Sequence, residues 1–355
     1  LMIFLKKYPR CYYQDYEDAF YYKRFGKIKI ESIREFILCP EMYDDLYSQY
    51  FHSPLNRFFS FKLPKFISLL QLESLIIRGI NWRDSFLETF LETFDDKSIK
   101  LKKLDLSHNY LYAFPPSLQE LNNLEELNLS HNQFTFTSLP PSLQNSKKLQ
   151  ALNLFFNKFS KLPDFFRNFT ELQHLNLSCN PILIFPAVIR KYKKLKTLTL
   201  AGSVWIESLD PTDKYQSRLT EIPGWIGDLP ELEYINISES GIKSLPESFK
   251  KLSNLKNICL RNTPLLERII KINEANSIDE YLYISGYPGR KYKKIDLRNL
   301  NLPEHFENHA RAYLAENSCF GNYRHICIGI PNKYEGHNST YDIEHLHEAK
   351  FNARR

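Results

Sequence analysis

Glycine is scarce in this sequence, and no long apolar run is present. Only 11 of the 355 residues are glycine, whereas 26 are phenylalanine and 22 are tyrosine. This composition is not that of a glycine-rich, low-complexity or disordered chain. The opening LMIFLKKYPR is apolar for only five residues before two lysines. It therefore predicts neither a signal peptide nor a membrane span, and we expect no transmembrane segment.

Cysteine is also sparse, and the charge is nearly balanced. No CxxC pair and no dense framework occurs among the six cysteines, which are Cys11, Cys39, Cys179, Cys259, Cys319 and Cys327. This spacing favours a reducing, cytoplasmic compartment. The formal net charge of +6 is small for the length of the chain. It permits an acidic partner or membrane surface but indicates no specific nucleic-acid binding.

A repeated phrase, LxxLxLxx, organises the middle of the chain. Full copies start at Leu101, Leu124, Leu149, Leu172, Leu195, Leu232 and Leu255, and a degenerate copy starts at Leu72. Alternating leucines such as Leu104 and Leu106 predict a short strand, and equivalent strands should stack as a parallel sheet. Most copies close with a proline phrase such as FPPSLQEL, which predicts a short helical or 3₁₀ return on the convex side.

An asparagine follows the strand in four consecutive units. These residues are Asn109, Asn132, Asn157 and Asn180. A buried amide at the end of a strand can bond the backbone of neighbouring turns, which would otherwise be unsatisfied. After the fourth unit the position holds Ser203, Ser240 and Thr263, so we expect looser turns there.

Residues Leu101–Asn254 resemble a leucine-rich-repeat array of the LxxLxLxxNxLxxLPxxLxxLxx type. The resemblance implies an α/β solenoid with a concave parallel β-sheet and short convex helices, whose concave face binds protein partners. An array also needs covered ends, and we expect helical N- and C-terminal caps. We predict a helical N-terminal cap over 1–62, the solenoid over 63–263 with an insertion at about 203–218, and a degenerate repeat with the C-terminal cap over 264–355.

Local patterns predict the structure of these end regions. ESIREFILCPEMYDDLYSQYF has apolar residues at helical spacing, including Phe36 and Ile37, and NWRDSFLETFLETFDDKSIK also predicts a helix. EHFENHARAYLAENS predicts a further helix, and RHICIGI predicts a strand. YKKIDLRNLNLP weakly repeats the leucine phrase.

Departures from the repeat point to a partner-binding surface. Counted from the first leucine of each unit, positions 2, 3, 5, 7 and 8 should face outward from the concave sheet. Phe155 and Phe156 replace the polar phrase of their neighbours and predict an exposed apolar patch, the kind of anchor that dominates interfaces. The alternative is that one ring packs under its neighbours or against a terminal segment. The predicted partner-binding residues are His108, His131, Asn153, Phe155, Phe156, His174, Asn176, Cys179, Trp205, Tyr234 and Glu239.

Metal and anion sites are weakly indicated. His108 and His131 share one repeat position but lack a third ligand, because Phe156 takes the next place. The C-terminal set of His325, Cys327, His337, His345 and His347 follows no zinc-finger spacing. We therefore expect no metal. A basic cluster, Arg190, Lys191, Lys193, Lys194 and Lys196, predicts a solvated face, with an acidic partner or anionic lipid as the alternative.

These patterns together predict a non-enzymatic, monomeric recognition protein of eight or nine units that needs no cofactor. No phosphate-loop, GxSxG, HExxH or kinase motif is present. The high Phe, Tyr, Lys, Ile and Asn usage, together with the cysteine pattern and the missing signal peptide, resembles leucine-rich-repeat effectors that intracellular bacteria deliver into host cells, which would make the partner a host protein. The alternative is a ubiquitin ligase or ligase adaptor, but Cys319 lacks the acidic neighbour of a ligase loop, and 1–62 contains no F-box phrase.

Overall fold

A parallel sheet runs through the computed structural model, which describes residues 35–38, 73–77, 100–114, 121–202, 219–260, 263–266, 268, 281–283, 291–293, 301–303, 311–318 and 321–329. Within these ranges, nine strands lie parallel in one open sheet, each beside the next along the chain. They are β1 (Glu35–Leu38), β2 (Ser74–Ile77), β3 (Lys103–Asp105), β4 (Glu126–Asn128), β5 (Ala151–Asn153), β6 (His174–Asn176), β7 (Thr197–Thr199), β8 (Tyr234–Asn236) and β9 (Asn257–Cys259).

Strands β3 to β9 each begin at the third residue of a predicted unit, which confirms the repeat. Equal repeat positions pair across the sheet, as in Leu104 with Leu127 and Leu127 with Leu152. These three leucines are at most 1% exposed, because the inward face of each strand meets the same face of its neighbours. Stacked units thereby share one continuous apolar core.

In the part of the chain that the structure describes, five short 3₁₀ helices form the convex return, as the proline phrases predict. They are Pro141–Asn145, Asp164–Asn168, Ala187–Lys191, Gly224–Asp228 and Glu247–Lys251. The residue before each is a proline in an extended conformation. Each helix buries its central apolar residue, such as Leu143 and Phe166, against the core.

The predicted asparagine ladder is present. The side-chain oxygen of Asn132 accepts the backbone N–H of Leu111 at 2.8 Å, and its Nδ2 donates to the carbonyls of Leu106 and Leu129 at 2.9 and 3.0 Å. One amide thus joins two units. By contrast, the hydroxyl of Ser240 donates only within its own unit, to Ile237 at 2.6 Å. Fewer bonds between units at this position agree with looser turns.

The ends of the sheet differ from the helical prediction. Glu35–Leu38 is a strand that pairs in parallel with β2, so the helix expected there is wrong for these residues. At the other end, β12 (Arg311–Ser318) is a strand where a helix was expected, whereas β13 (Gly321–Gly329) confirms the predicted strand. The β12–β13 hairpin lies antiparallel to β9 and closes that edge. A separate hairpin joins β10 (Tyr281–Tyr283) and β11 (Lys291–Lys293).

Cys259, in β9, is disulfide-bonded. The antiparallel register places Cys327 of β13 directly opposite it. The cysteine spacing did not predict this bond. Cys179 is buried and is not disulfide-bonded.

Several predictions lie outside the described residues. These are the helix after Ile80, the insertion with Trp205, Ser203, Cys319, and His337, His345 and His347 of the C-terminal cluster; the domain boundaries also stay predictions. The late repeat is described only at 301–303, where Leu302 is buried and Asn301 Nδ2 donates to the carbonyl of Leu245 at 2.9 Å. Where the structure is described, no helix is both long and apolar enough to cross a bilayer.

Candidate protein-recognition surface

Position 8 of the repeat has a left-handed backbone in six units. The residues and their φ angles are His108 (59°), His131 (53°), Phe156 (53°), Cys179 (56°), Gly202 (61°) and Glu239 (58°). A left-handed conformation costs most residues roughly 1–2 kcal/mol, and glycine avoids this cost. Here the conformation recurs in register along the edge of the sheet, so it belongs to the turn that the unit requires rather than to one strained site.

The side chains at repeat position 8 form a column along the sheet, and three rings in this column stack on one another. The imidazoles of His108 and His131 have centroids 3.9 Å apart and planes 18° apart. The ring of Phe156 continues the stack, 5.1 Å from His131 at 27°. All three side chains are half-buried. We call these three residues the aromatic strip. It crosses three consecutive units at the end of their strands.

The imidazole of His131 in the aromatic strip stays uncharged because it is buried. Burial, with a smaller contribution from the charge of His108, lowers the pKa of His131 from 6.5 to about 3. A buried imidazolium would lose hydration without a carboxylate to compensate it. The strip therefore presents an uncharged His131 ring at neutral pH.

Phe155 does not form the exposed patch that the sequence predicts. Its side chain is only 8% exposed, and its ring meets the edge of His131 at 4.9 Å and 70°. The expectation of two exposed phenylalanines is wrong for this residue, and the alternative of one ring packing under its neighbours is correct. Cys179, Asn153 and Tyr234 are also buried, with 6%, 2% and 3% exposure.

Position 5 of the repeat is occupied by polar side chains that hold the turn. The Oδ1 atoms of Asn128, Asn153, Asn176 and Asn236 each accept the backbone N–H two residues later. Asp105 does the same and also accepts the Ser107 hydroxyl at 2.7 Å. Asn153 and Asn176, predicted to bind a partner, therefore use their side-chain oxygens within the fold.

The pattern of the leucine rich repeat family matches residues 99–159 and, in a second form, residues 171–191. The chain therefore contains leucine-rich repeats within residues 99–191. A probable disease resistance protein of Arabidopsis thaliana is 46% identical over 56 residues, which cover 16% of this chain and 7% of that protein.

Solved leucine-rich-repeat structures resemble parts of the chain. An LRR protein of Leptospira interrogans has 28% identity and a TM-score of 0.40 and covers 57% of this chain. The Arabidopsis receptor kinase HAESA, solved with the peptide hormone IDA and a co-receptor, has 21% identity and a TM-score of 0.47 and covers 70%. The chain spans 52% and 43% of the lengths of these two proteins.

The other predicted site residues of the leucine-rich-repeat array lie apart from the strip. His174 Nδ1 is 3.0 Å from the hydroxyl of Thr197, and the Tyr234 hydroxyl is 3.4 Å from Cys259 Sγ. Glu239 is half-buried in the position-8 column, three units beyond Phe156. Within the described residues, no group of three or more His, Cys, Asp or Glu side chains could hold a metal ion.

The convex basic cluster is largely paired within the array. Arg190 contacts Asp228 at 3.0 Å, and Lys193 Nζ donates to the Asp228 carbonyl at 2.9 Å. Lys194 pairs with Glu171 at 2.6 Å. These groups are exposed, so each pair adds little stability. Internal pairing nevertheless favours the interpretation as a solvated face over an anion-binding site.

Sequence reasoning missed the apolar residues on one flank of the array. Among the described residues, the large hydrophobic side chains that are exposed are Tyr110, Tyr112, Leu183 and Ile184. They occupy repeat positions 10, 12 and 13, in the segment that follows each strand. The sequence does contain a signal for these residues: they are apolar, whereas the corresponding positions of the third unit hold Lys158, Ser160 and Lys161.

Proposed function

We propose that this leucine-rich-repeat protein recognises a protein or peptide partner without catalysing a reaction, and that the aromatic strip on its concave side is the contact. The observation that carries the proposal is the stack of His108, His131 and Phe156 across three consecutive units. Aromatic rings supply much of the binding energy of interfaces because they bury a large area with few rotatable bonds.

The strip is suited to an extended partner segment. Its rings follow adjacent strands, which are spaced about 4.8 Å apart. Backbone bonds hold them in place, as His108 N–H donates to the Ser130 carbonyl at 3.0 Å and His131 N–H to the Phe155 carbonyl at 2.8 Å. A rigid surface loses little conformational entropy on binding, which favours affinity.

Charged groups also lie on this face, at the first residues of strands β3 and β4, and would help to orient the partner. On the same face, Lys103 Nζ lies 3.3 Å from Glu126 Oε2, and both side chains are partly exposed, at 20% and 32%. The two opposite charges of this pair offset each other. The strip itself consists of aromatic rings, and its His131 ring is uncharged at neutral pH, so it is better matched to an apolar anchor than to a charged one.

The finer predictions about biological setting rest on the sequence alone. A bacterial effector acting on a host protein, a monomeric state and a cytoplasmic location stay predictions. The ligase alternative needs a large helical domain after the repeats. Strands β12 and β13 lend it no support.

Substitution of Phe156 tests the proposal. Asparagine tolerates the left-handed backbone at this position, so Phe156→Asn removes the ring without adding backbone strain. Partners captured from lysates on the immobilised chain would be identified, purified and titrated by calorimetry. We expect Phe156→Asn to weaken binding about tenfold or more, as loss of a central aromatic does. The control Lys250→Ala, on the convex side, should bind like the wild type. Equal affinities of Phe156→Asn and the wild type would contradict the proposal.

A further inference from the structure

One flank of the array exposes large apolar side chains to solvent. Ile184 is 82% exposed, Tyr112 62%, Tyr110 60% and Leu183 50%. Phe136, half-buried, lies between them in the second unit. With Lys158 and Lys161 of the third unit, these residues form what we call the flank ridge.

The ridge is continuous because the units are in register. Its residues follow β3, β4, β5 and β6, and strands at about 4.8 Å spacing place four units within about 15 Å. Backbone bonds fix the segments to one another. Gln133 N–H donates to the Leu111 carbonyl at 2.8 Å, and Lys158 N–H donates to the Phe134 carbonyl at 2.9 Å. The apolar side chains therefore project from an ordered edge rather than from a free loop.

The charge of the ridge has one sign. Across the first four units, the charged residues at positions 10, 12 and 13 are Lys158 and Lys161, and both are exposed. Lys161 Nζ lies 4.2 Å above the centre of the Phe136 ring. Elsewhere in the described array, Lys102, Lys194 and Lys256 pair with carboxylates of neighbouring units. Neither ridge lysine has such an ion pair within the described residues.

We propose that the flank ridge binds an acidic peptide segment of another protein that also carries apolar side chains. Apolar anchors would cover Tyr112, Leu183 and Ile184, while carboxylates would pair with Lys158 and Lys161 in the same contact. Exposed apolar patches of this kind commonly mark interaction sites. The ridge is separate from the aromatic strip, so this proposal extends the recognition role to a second surface.

A second copy of the chain is a poorer occupant than an acidic segment. Two ridges brought face to face would place Lys158 and Lys161 against the same residues of the other copy. Like charges in one interface oppose association. Charge complementarity therefore favours an acidic partner.

A random peptide library displayed on phage and selected on the immobilised full chain tests this proposal. The enriched peptides should combine Asp or Glu with aromatic or aliphatic residues, and synthetic copies should bind more weakly as salt rises. The double variant Leu183→Ser with Ile184→Ser should weaken binding at least tenfold. Charge reversal by Lys158→Glu with Lys161→Glu should weaken it several-fold.

Two controls separate this surface from others. The double variant Lys250→Glu with Lys251→Glu reverses two positive charges on the convex side, as the ridge variant does on the flank, and should leave peptide binding unchanged. Phe156→Asn should also leave it unchanged, whereas loss of binding in this variant alone would assign the peptide to the aromatic strip and overturn the ridge proposal. Thermal unfolding and circular dichroism should match the wild type for the ridge variants and the convex-side variant, because the substituted side chains are exposed.

The remaining outcomes also decide the question. The proposal would be overturned if the selected peptides were not enriched in Asp or Glu. It would also be overturned if the double variant Leu183→Ser with Ile184→Ser bound the peptides as tightly as the wild type. A wild-type dimer in sedimentation that this same double variant converts to monomer would overturn it too, because the ridge would then be covered by a second copy of the chain.

Discussion

The imidazole rings of His108 and His131 lie face to face, with centroids 3.9 Å apart. Burial and the neighbouring His108 lower the pKa of His131 to about 3, against an ordinary value of 6.5. Above pH 6.5 neither folded nor unfolded chain binds a proton at this residue. Between about 6.5 and 3 only the unfolded chain does, so folding loses stability as the pH falls through this window.

This acid sensitivity can be measured with His131→Phe. Phenylalanine already occupies the same column at Phe156 with the same φ of 53°, so the substitution should be accommodated. We expect the free energy of unfolding of the wild type to fall more steeply than that of the variant between pH 6.5 and 4, by at most about 1.4 kcal/mol per pH unit. Urea denaturation at each pH gives the comparison. Parallel pH profiles would show that His131 is not held neutral by the fold.

Asn132→Ala should destabilise the array strongly. The side chain accepts the N–H of Leu111 and donates to the carbonyls of Leu106, Leu129 and Ser130, all in buried surroundings. Its removal leaves several backbone groups unsatisfied, which costs about 2–4 kcal/mol in total. Chemical denaturation measures the loss. The exposed Asn145 provides the control, and Asn145→Ala should change stability by less than about 0.5 kcal/mol. Similar values for the two variants would contradict the ladder.

Gly227 is required by a close approach between two convex turns. A β-carbon added at this position would lie 2.4 Å from the backbone oxygen of Ser248. Gly227→Ala should therefore force the 3₁₀ helices apart and cost about 1–3 kcal/mol. Gly224→Ala is the matched control in the same helix, because nothing lies within 4 Å of its added carbon. The difference in melting temperature between the two variants tests the contact; equal temperatures would refute it.

The Cys259 disulfide predicts a covalent tie at the edge of the sheet. Because Cys327 is opposite Cys259 in the register, we expect it to be the partner. Peptide mapping of the unreduced protein should recover the two cysteines in one linked species that separates on reduction. Recovery of Cys259 as a free thiol from protein kept under oxidising conditions would contradict the bond.

The repeat could be predicted because its signals are local. Alternating leucines such as Leu104 and Leu106, together with the following Asn109, specify a strand and its turn within ten residues. The end strands depend on distant partners instead. Arg311–Ser318 has helical spacing in sequence, but it forms a strand in the hairpin that pairs with the open edge of β9. An unpaired edge offers backbone groups to any extended segment, and no local pattern shows which segment will take them.

The recognition surface was predictable only in part for the same reason. The sequence identified the column of His108, His131 and Phe156, because these residues recur at one repeat position. The burial of Phe155 depends on packing against His131 of the preceding unit, which its own unit does not encode. In the flank ridge, each unit departs from the repeat by only one or two residues. The ridge is recognised only when the exposed fractions of these side chains are compared across the units.

Hydroxyl-radical footprinting of the chain with and without its partner tests the central claim most directly. Partner binding should reduce oxidation of His131 and Phe156 in the aromatic strip, and an acidic peptide should protect Tyr110 and Tyr112 on the flank ridge. Tyr192, which is 0% exposed, serves as the internal control and should show little oxidation in either state. Protection confined to other parts of the chain, with His131 and Phe156 unchanged in the complex, would contradict recognition through the concave side.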